Sequence, residues 1–147
     1  MPRFARIFEA AADTLTAYYT AISECNLDAL MELWISEEFA SCICANGAHL
    51  YGIERIRSGF ASQFDAEPVV IDALDTRVYD SLSTVVYAVA EAHRNGATDV
   101  AQMVFTTYVL VHERGEWRIA HIHATPMPDQ AASQFAAKLA RGQGPLH

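Results

Sequence analysis

Cys42 and Cys44 stand two residues apart, and His121 with His123 and Glu91 with His93 repeat that spacing. In an extended strand, residues two apart share one face, so each pair could act jointly. The cysteines could attack as thiolates or bind metal, and the histidines could move protons or bind metal. Tyr18 and Tyr19 lie side by side in a helical stretch, where a phenol can donate a hydrogen bond to a developing oxyanion. Tyr18 is the best single candidate, with Tyr19 next because the helix phase is open by one residue. A reactive thiolate needs a base or cation beside it, and no sequence neighbour of Cys42 or Cys44 supplies one. C-x-C with a distant Cys25 also lacks zinc-ligand spacing. These thiols therefore read as buried and inert. No glycine-rich phosphate loop, P-loop or metal signature occurs, so no cofactor is expected.

The elements that must position these residues follow from periodicity. Apolar residues at Phe8, Ala11, Leu15, Tyr18, Tyr19 and Ile22 mark a first helix over residues 3–24. Asn26-Leu27-Asp28 breaks it, and a short helix carries Leu30, Leu33 and Trp34. Residues 39–44 read as a strand, Asn46-Gly47 as a turn, and residues 52–64 as a third helix with Ile53, Ile56, Phe60 and Phe64. After Pro68 come four strands, at 69–79, 84–94, 99–113 and 116–125. Asp80-Ser81, Asn95-Gly96 and Arg114-Gly115 separate them, and tight links of this kind join antiparallel neighbours. Asp129 opens a last helix to about residue 141, and Arg141 begins a loose tail.

The chain is thus α+β, with residues 1–128 as one domain and residues 129–147 as a C-terminal helix and tail. In the third long strand Val104, Thr106, Tyr108 and Leu110 share one face, and Met103, Phe105, Val109 and Val111 the other. Both faces look buried. A second copy of the chain is expected on the outer face, the alternative being that the C-terminal helix covers it. Ala88, Ala90 and Ala92 are expected to face the helices and leave a cavity, with Glu91 and His93 on the outer face. In the last strand, alternation groups His121 and His123 with Trp117 and Ile119, opposite Ala120, Ile122 and Ala124.

The chain has 147 residues, enough for one domain that buries roughly 70% of its unfolded surface. Its net charge of −8 opposes nucleic-acid binding, and 52% hydrophobic residues exclude disorder. The longest uncharged run, residues 39–53, contains Asn46, Gly47, His49 and Gly52, which argues against a membrane span. The first residues carry no clean signal-peptide pattern, and three cysteines without a CxxC fit a cytoplasmic location.

Three stretches carry a family resemblance. They are Tyr18-Tyr19-Thr20-Ala21-Ile22 with Asn26 through Trp34, then Gly52-Ile53-Glu54-Arg55-Ile56, then Gly115 through Pro126. Their order resembles the nuclear transport factor 2-like superfamily, in its SnoaL-like branch, over about residues 10–128. The resemblance implies a cone: a strongly curved antiparallel sheet wrapped around three N-terminal helices, with a short C-terminal helix and a pocket at the open end. The related ketosteroid isomerases combine a tyrosine donor, a carboxylate base and a protonated acid. They would place their tyrosine at Tyr18, their base near Cys42 or Cys44 and their acid at Tyr108. The related calcium/calmodulin-dependent kinase association domains are similar in the last strand. They would place pocket arginines at Ala90, Tyr108 and Ala124, none of which is Arg here.

Both relatives turn Ile122 and Ala124 toward the pocket, which puts His121 and His123 outside; the opposite phase would make those histidines a dehydratase-like pair. The expected pocket lining is Tyr18, Trp34, Cys42, Ile56, Phe60, Tyr108, Ile122 and Ala124. The expected function is binding of a small apolar or amphipathic molecule, with isomerase, cyclase or dehydratase chemistry and no cofactor. The alternative is a non-enzymatic binding module or a homo-oligomeric assembly domain. An acid/base reaction also needs a titrating group, for which Glu54 and Asp75 are the unplaced candidates.

Overall fold

A computed structural model describes residues 3–95 and 101–142. Helix α1 (Arg3–Ser23) is followed by the short α2 (Leu27–Glu32), strands β1 (Ser41–Ile43) and β2 (His49–Tyr51), and helix α3 (Gly52–Ala66). Four long strands follow, β3 (Val69–Asp80), β4 (Thr84–Asn95), β5 (Ala101–Glu113) and β6 (Glu116–Pro126), and then α4 (Asp129–Gly142). The expected start of the third long strand at Asp99, and the last five residues of the expected tail, lie outside the described residues. Among the described residues no helix is long and apolar enough to cross a membrane.

Local chemistry accounts for the boundaries. The Asn26 side chain accepts a hydrogen bond from the Ala29 backbone N–H and caps α2. Arg114 and Gly115 both have positive φ, at 53° and 82°, as a two-residue type I′ hairpin requires between β5 and β6. Gly59 lets α3 close on β2, since a Cβ there would lie 2.5 Å from Leu50 Cδ1.

The six strands form one sheet in the order β2-β1-β6-β5-β4-β3. The long strands pair antiparallel as the sequence suggests. The expectation of a wholly antiparallel sheet is corrected at one seam: β1 runs parallel to β6, so the sheet is mixed. β2 has no signature in the sequence because three residues are too few to show alternation.

Two bulges set which side chains face inward. In β3 the register skips Leu74, and in β6 it skips Ala120. An extra residue bends its strand, strengthens the twist and inverts the alternation beyond it. Strict alternation groups Trp117 and Ile119 with the histidines. The Ala120 bulge instead turns Trp117 and Ile119 into the core on the same side as Ile122, and leaves His121 and His123 outside. The curled sheet closes over the α1 stripe of Ala11, Leu15, Tyr18 and Ile22, all buried.

The expectation for β4 is also corrected. Val85, Tyr87 and Val89 join the core, so Glu91 and His93 continue that inner face and Ala88, Ala90 and Ala92 lie outside. The larger side chains bury more apolar area and win the inner face. The alanines do make room, but outside: Phe135 of α4 packs edge-on against Phe105, with ring centroids 6.1 Å apart, beside Ala88 and Ala90. Part of the outer face is thus covered by the chain's own helix.

Leu110 is fully buried in the core, whereas Val78 is 55% exposed. Leu110→Ala is expected to cost about 2–5 kcal/mol, and Val78→Ala less than about 1 kcal/mol. Urea unfolding of the two variants checks this ordering.

Candidate active site

Glu91 is the one buried carboxylate in the described core, with 0% exposure. β4 brings it under α1 and beside β5. Its Oε2 accepts hydrogen bonds from the hydroxyls of Tyr108 at 2.5 Å and Tyr19 at 2.9 Å. Its Oε1 accepts from Thr106 Oγ1 at 2.8 Å and lies 2.7 Å from His93 Nε2. A carboxylate offers about four lone-pair directions, and all are used. Burying an ion costs several kcal/mol, which charge-assisted hydrogen bonds of roughly 1.5–3 kcal/mol each can offset.

The same bonds define the protonation pattern of His93. An ionised Glu91 accepts only, so the neutral ring that fits this contact is the tautomer with its proton on Nε2, donating to Glu91. Nδ1 is then the acceptor on a ring that is 22% exposed and lines the cavity. Among the described residues Nδ1 has no hydrogen-bond partner.

The cavity encloses about 500 Å³. α1 contributes Tyr18 and Ile22, and β1 with its turn contributes Cys42, Cys44 and Asn46. Phe60 and Gln63 come from α3, and Val69 and Ile71 from β3. Glu91, His93 and Asn95 come from β4, Gln102, Thr106 and Tyr108 from β5, and Ile122 and Ala124 from β6. The wall is mainly apolar, with neutral amides and, among the described residues, no Lys or Arg, a pattern suited to an uncharged ligand.

Tyr18 packs edge-on to Tyr108, with ring centroids 5.4 Å apart, and to Phe60 at 6.4 Å. Its hydroxyl makes no hydrogen bond among the described residues and is not among their sealed, unpartnered polar atoms. It is therefore a donor available to a ligand. Burial, and then the negative charge that Cys42 and Glu91 can carry, hold the Tyr18 phenol well above the usual range. Tyr108 and Tyr19 are raised too, by burial first and by Glu91 among the further causes.

Of the expected lining, Tyr18, Cys42, Phe60, Tyr108, Ile122 and Ala124 meet at this cavity. Trp34 and Ile56 do not: both are sealed in the core, at 1% and 0% exposure. Trp34 instead bridges to Ile119, where residues 33–35 lie along β6. Neither Glu54 nor Asp75 lines the cavity, and Asp75 lies on the outer face with Ala88. Sequence reasoning misses Glu91, His93, Thr106 and the role of Tyr19. The usable signal is the size contrast in β4, with Val85, Tyr87 and Val89 in phase with Glu91 and His93. The relatives' Ala90 position is one residue from Glu91, and one residue in a strand is the opposite face. His121 Nδ1 lies 2.7 Å from Ser41 Oγ on the outer face, and its titration is lowered, by partial burial first and then by His123. Among the described residues no group of three or more His, Cys, Asp or Glu could hold a metal ion.

The same fold occurs in known proteins. The family model described as SnoaL-like domain matches residues 11–130. No curated protein matches the chain. Among solved structures, a candidate dehydratase of the nuclear transport factor 2-like family from Streptomyces avermitilis is similar, with a TM-score of 0.77 and 19% identity over 84% of this chain and 99% of that one. A candidate calcium/calmodulin-dependent protein kinase type II association domain from Thiobacillus denitrificans has a TM-score of 0.69 and 24% identity, covering 78% of this chain and 93% of that one. A candidate ketosteroid isomerase from Shewanella frigidimarina has a TM-score of 0.68 and 13% identity, covering 79% and 94%. At these identities the structures share the fold.

The hydrogen-bond cluster makes stability depend on Glu91 and on pH. Glu91→Leu strands three hydroxyl donors and the His93 ring, so it is expected to destabilise by about 3–5 kcal/mol in urea unfolding, and Glu91→Gln by less. At alkaline pH the tyrosines dominate. Tyr18, Tyr19 and Tyr108 are raised in the folded state, so their contribution is complete below pH 10. Above about pH 10 the unfolded chain releases protons that the folded chain keeps, so stability falls by about 1.4 kcal/mol per pH unit for each such tyrosine. Phenolate absorbance should show these three ionising only with unfolding; ionisation near pH 10 in the intact fold would contradict their placement.

Proposed function

The chain belongs to the SnoaL-like domain family, and we propose that it is a proton-transfer enzyme acting on a small, uncharged carbonyl compound, of the isomerase or dehydratase kind. The observation that carries this reading is the 2.7 Å contact between His93 Nε2 and a fully buried Glu91 that already holds three hydroxyl donors. Glu91 has no lone pair left for a substrate proton. It acts as a positioning residue, fixing the His93 tautomer and orientation.

His93 Nδ1 is then the general base, taking a proton from the carbon next to the carbonyl. Negative charge builds on the carbonyl oxygen, and the unpartnered Tyr18 hydroxyl donates to it in a mostly apolar cavity. The protonated ring returns its proton either to a different carbon, which is isomerisation, or to a departing hydroxide, which is dehydration. Both outcomes need only the chain's own groups. The candidate dehydratase and candidate ketosteroid isomerase of the same fold support the reaction class. Three free thiols support a reducing, cytoplasmic setting.

A second reading has its own observation. Tyr79 is 71% exposed on the outer face, and Val86, Val109 and Val111 beside it are only half-buried. That apolar strip beyond α4 supports a homodimer through the outer sheet face, which light scattering at micromolar concentration would detect.

The reaction is tested by proton NMR in deuterated buffer with bicyclic ketones such as 2-tetralone as probes. The wild-type chain should speed exchange of the α-protons above buffer. His93→Ala should abolish that gain, and Tyr18→Phe should reduce it by about 10–1,000-fold. Saturable ketone binding without exchange would instead make the chain a non-enzymatic binding module.

A further inference from the structure

The reaction above uses only part of the available space. A second cavity of about 410 Å³ adjoins the first. Cys44 and Asn46, which follow β1, and Phe60 and Gln63, from α3, line both. Ala48, Leu50, Gly59 and Ser62 complete the second cavity. Tyr18, Glu91 and His93 line only the first. The second cavity therefore lies between α3 and the β1–β2 hairpin, and the reactive groups stay on one side of the shared residues.

Its walls say what would fill it. Ala48, Gly59 and Ser62 are small and leave room, and Leu50 and Phe60 supply apolar surface. Leu50 is half-buried: it packs against the core and also faces the cavity. Among the described residues no Asp, Glu, Lys or Arg lines this space, so a charged group would find no counter-ion in it. Water there meets a mainly apolar wall, and replacing it with hydrocarbon is favourable. Phe60 ties the two cavities together, since its ring packs edge-on to Tyr18 and also lines the second space.

We propose that the second cavity is a subsite for an unbranched hydrocarbon arm of the carbonyl ligand, attached away from the carbonyl. The inference rests on the proposed reading only in placing a carbonyl group in the first cavity, and it deepens that reading by naming the ligand class. The ligand is a ketone with an apolar arm several carbons long, not a compact ketone. The arm passes between Cys44 and Asn46 on one side and Phe60 and Gln63 on the other, and ends against Leu50. Each methylene that enters leaves water for an apolar wall and should tighten binding about threefold to fourfold.

The test is a chemical-shift titration of the ¹⁵N-labelled chain with cyclohexanone and its 4-ethyl, 4-propyl and 4-pentyl derivatives. Affinity is expected to rise along the series, with the longer arms shifting the amides of Ala48, Leu50 and Ser62. Two variants fill the subsite. In Gly59→Ala the new Cβ would lie 2.5 Å from Leu50 Cδ1 and drives that side chain toward the open space, while alanine is the better helix former within α3. Ala48→Leu adds bulk at an exposed position, so it requires no change in the core. Either variant should leave cyclohexanone binding unchanged and remove the gain from the pentyl arm. A gain that survives in both variants, shifts confined to the first cavity, equal binding of all four ketones, or binding of none would overturn the proposal. Arm-dependent binding without α-proton exchange would uphold this inference and refute the proposed reaction, and exchange with no dependence on the arm would do the reverse.

Discussion

A carboxylate with no exposed surface must be surrounded by donors, and this requirement organises the centre of the molecule. Glu91 is satisfied by a tyrosine from α1, a tyrosine and a threonine from β5, and a histidine on its own strand. Those donors come from elements distant in sequence, so the cluster exists only when α1 lies in the curl of the sheet. The desolvation cost makes a misplaced α1 expensive, and the same cost keeps the four donors occupied. Among the described residues what remains free is informative: His93 Nδ1 and the Tyr18 hydroxyl, both at the cavity. A buried ion held this way is a fixed point from which reactive groups can be positioned.

The curl that closes the cluster is produced locally. The bulges at Leu74 and Ala120 each add a residue that has no opposite partner, and each bends its strand. Ala120 has a second consequence. It keeps Trp117 and Ile119 on the same inner side as Ile122 and Ala124, although the step from Ile119 to Ile122 is odd. The parallel seam between β1 and β6 then carries Cys42 into the same wall. Outside, the small alanines of β4 admit Phe135 of α4 against Phe105, so part of the sheet's second face is closed by the chain itself.

Much of the fold is legible in the sequence because it rests on repeating patterns. The α1 stripe from Ala11 to Ile22, the turn residues Asp80-Ser81 and Arg114-Gly115 and the order of elements agree with the structure, while Phe8 and Gly96 of those expectations lie outside what is described. Six of the expected lining residues reach the cavity: Tyr18 and Phe60 follow from the helix stripes, and the family resemblance sets the inward face of Cys42, Tyr108, Ile122 and Ala124. The failures have one physical form. Alternation has only two phases, and local residues in β4 are ambiguous: three alanines in one phase, and Val85, Tyr87 and Val89 with Glu91 and His93 in the other. Treating Glu91 as a surface residue selects the wrong phase, because the donors that justify burying it lie on α1 and β5. Bulges likewise leave no clear mark in a single sequence, and Ala120 is as ordinary a strand residue as Leu74. Trp34 and Ile56 differ from expectation in depth rather than in face: both are in the core, beneath the cavity and not at it.

The proposed reaction depends on Glu91 holding His93 in one tautomer, with Nδ1 bare toward the open space. Long-range proton–nitrogen correlation NMR on the ¹⁵N-labelled chain reads this directly, with the ring assigned by comparison with a His93→Gln variant. The neutral His93 ring is expected to carry its proton on Nε2 and to show an unprotonated Nδ1. A ring protonated on Nδ1, or one averaging freely between tautomers, would contradict this.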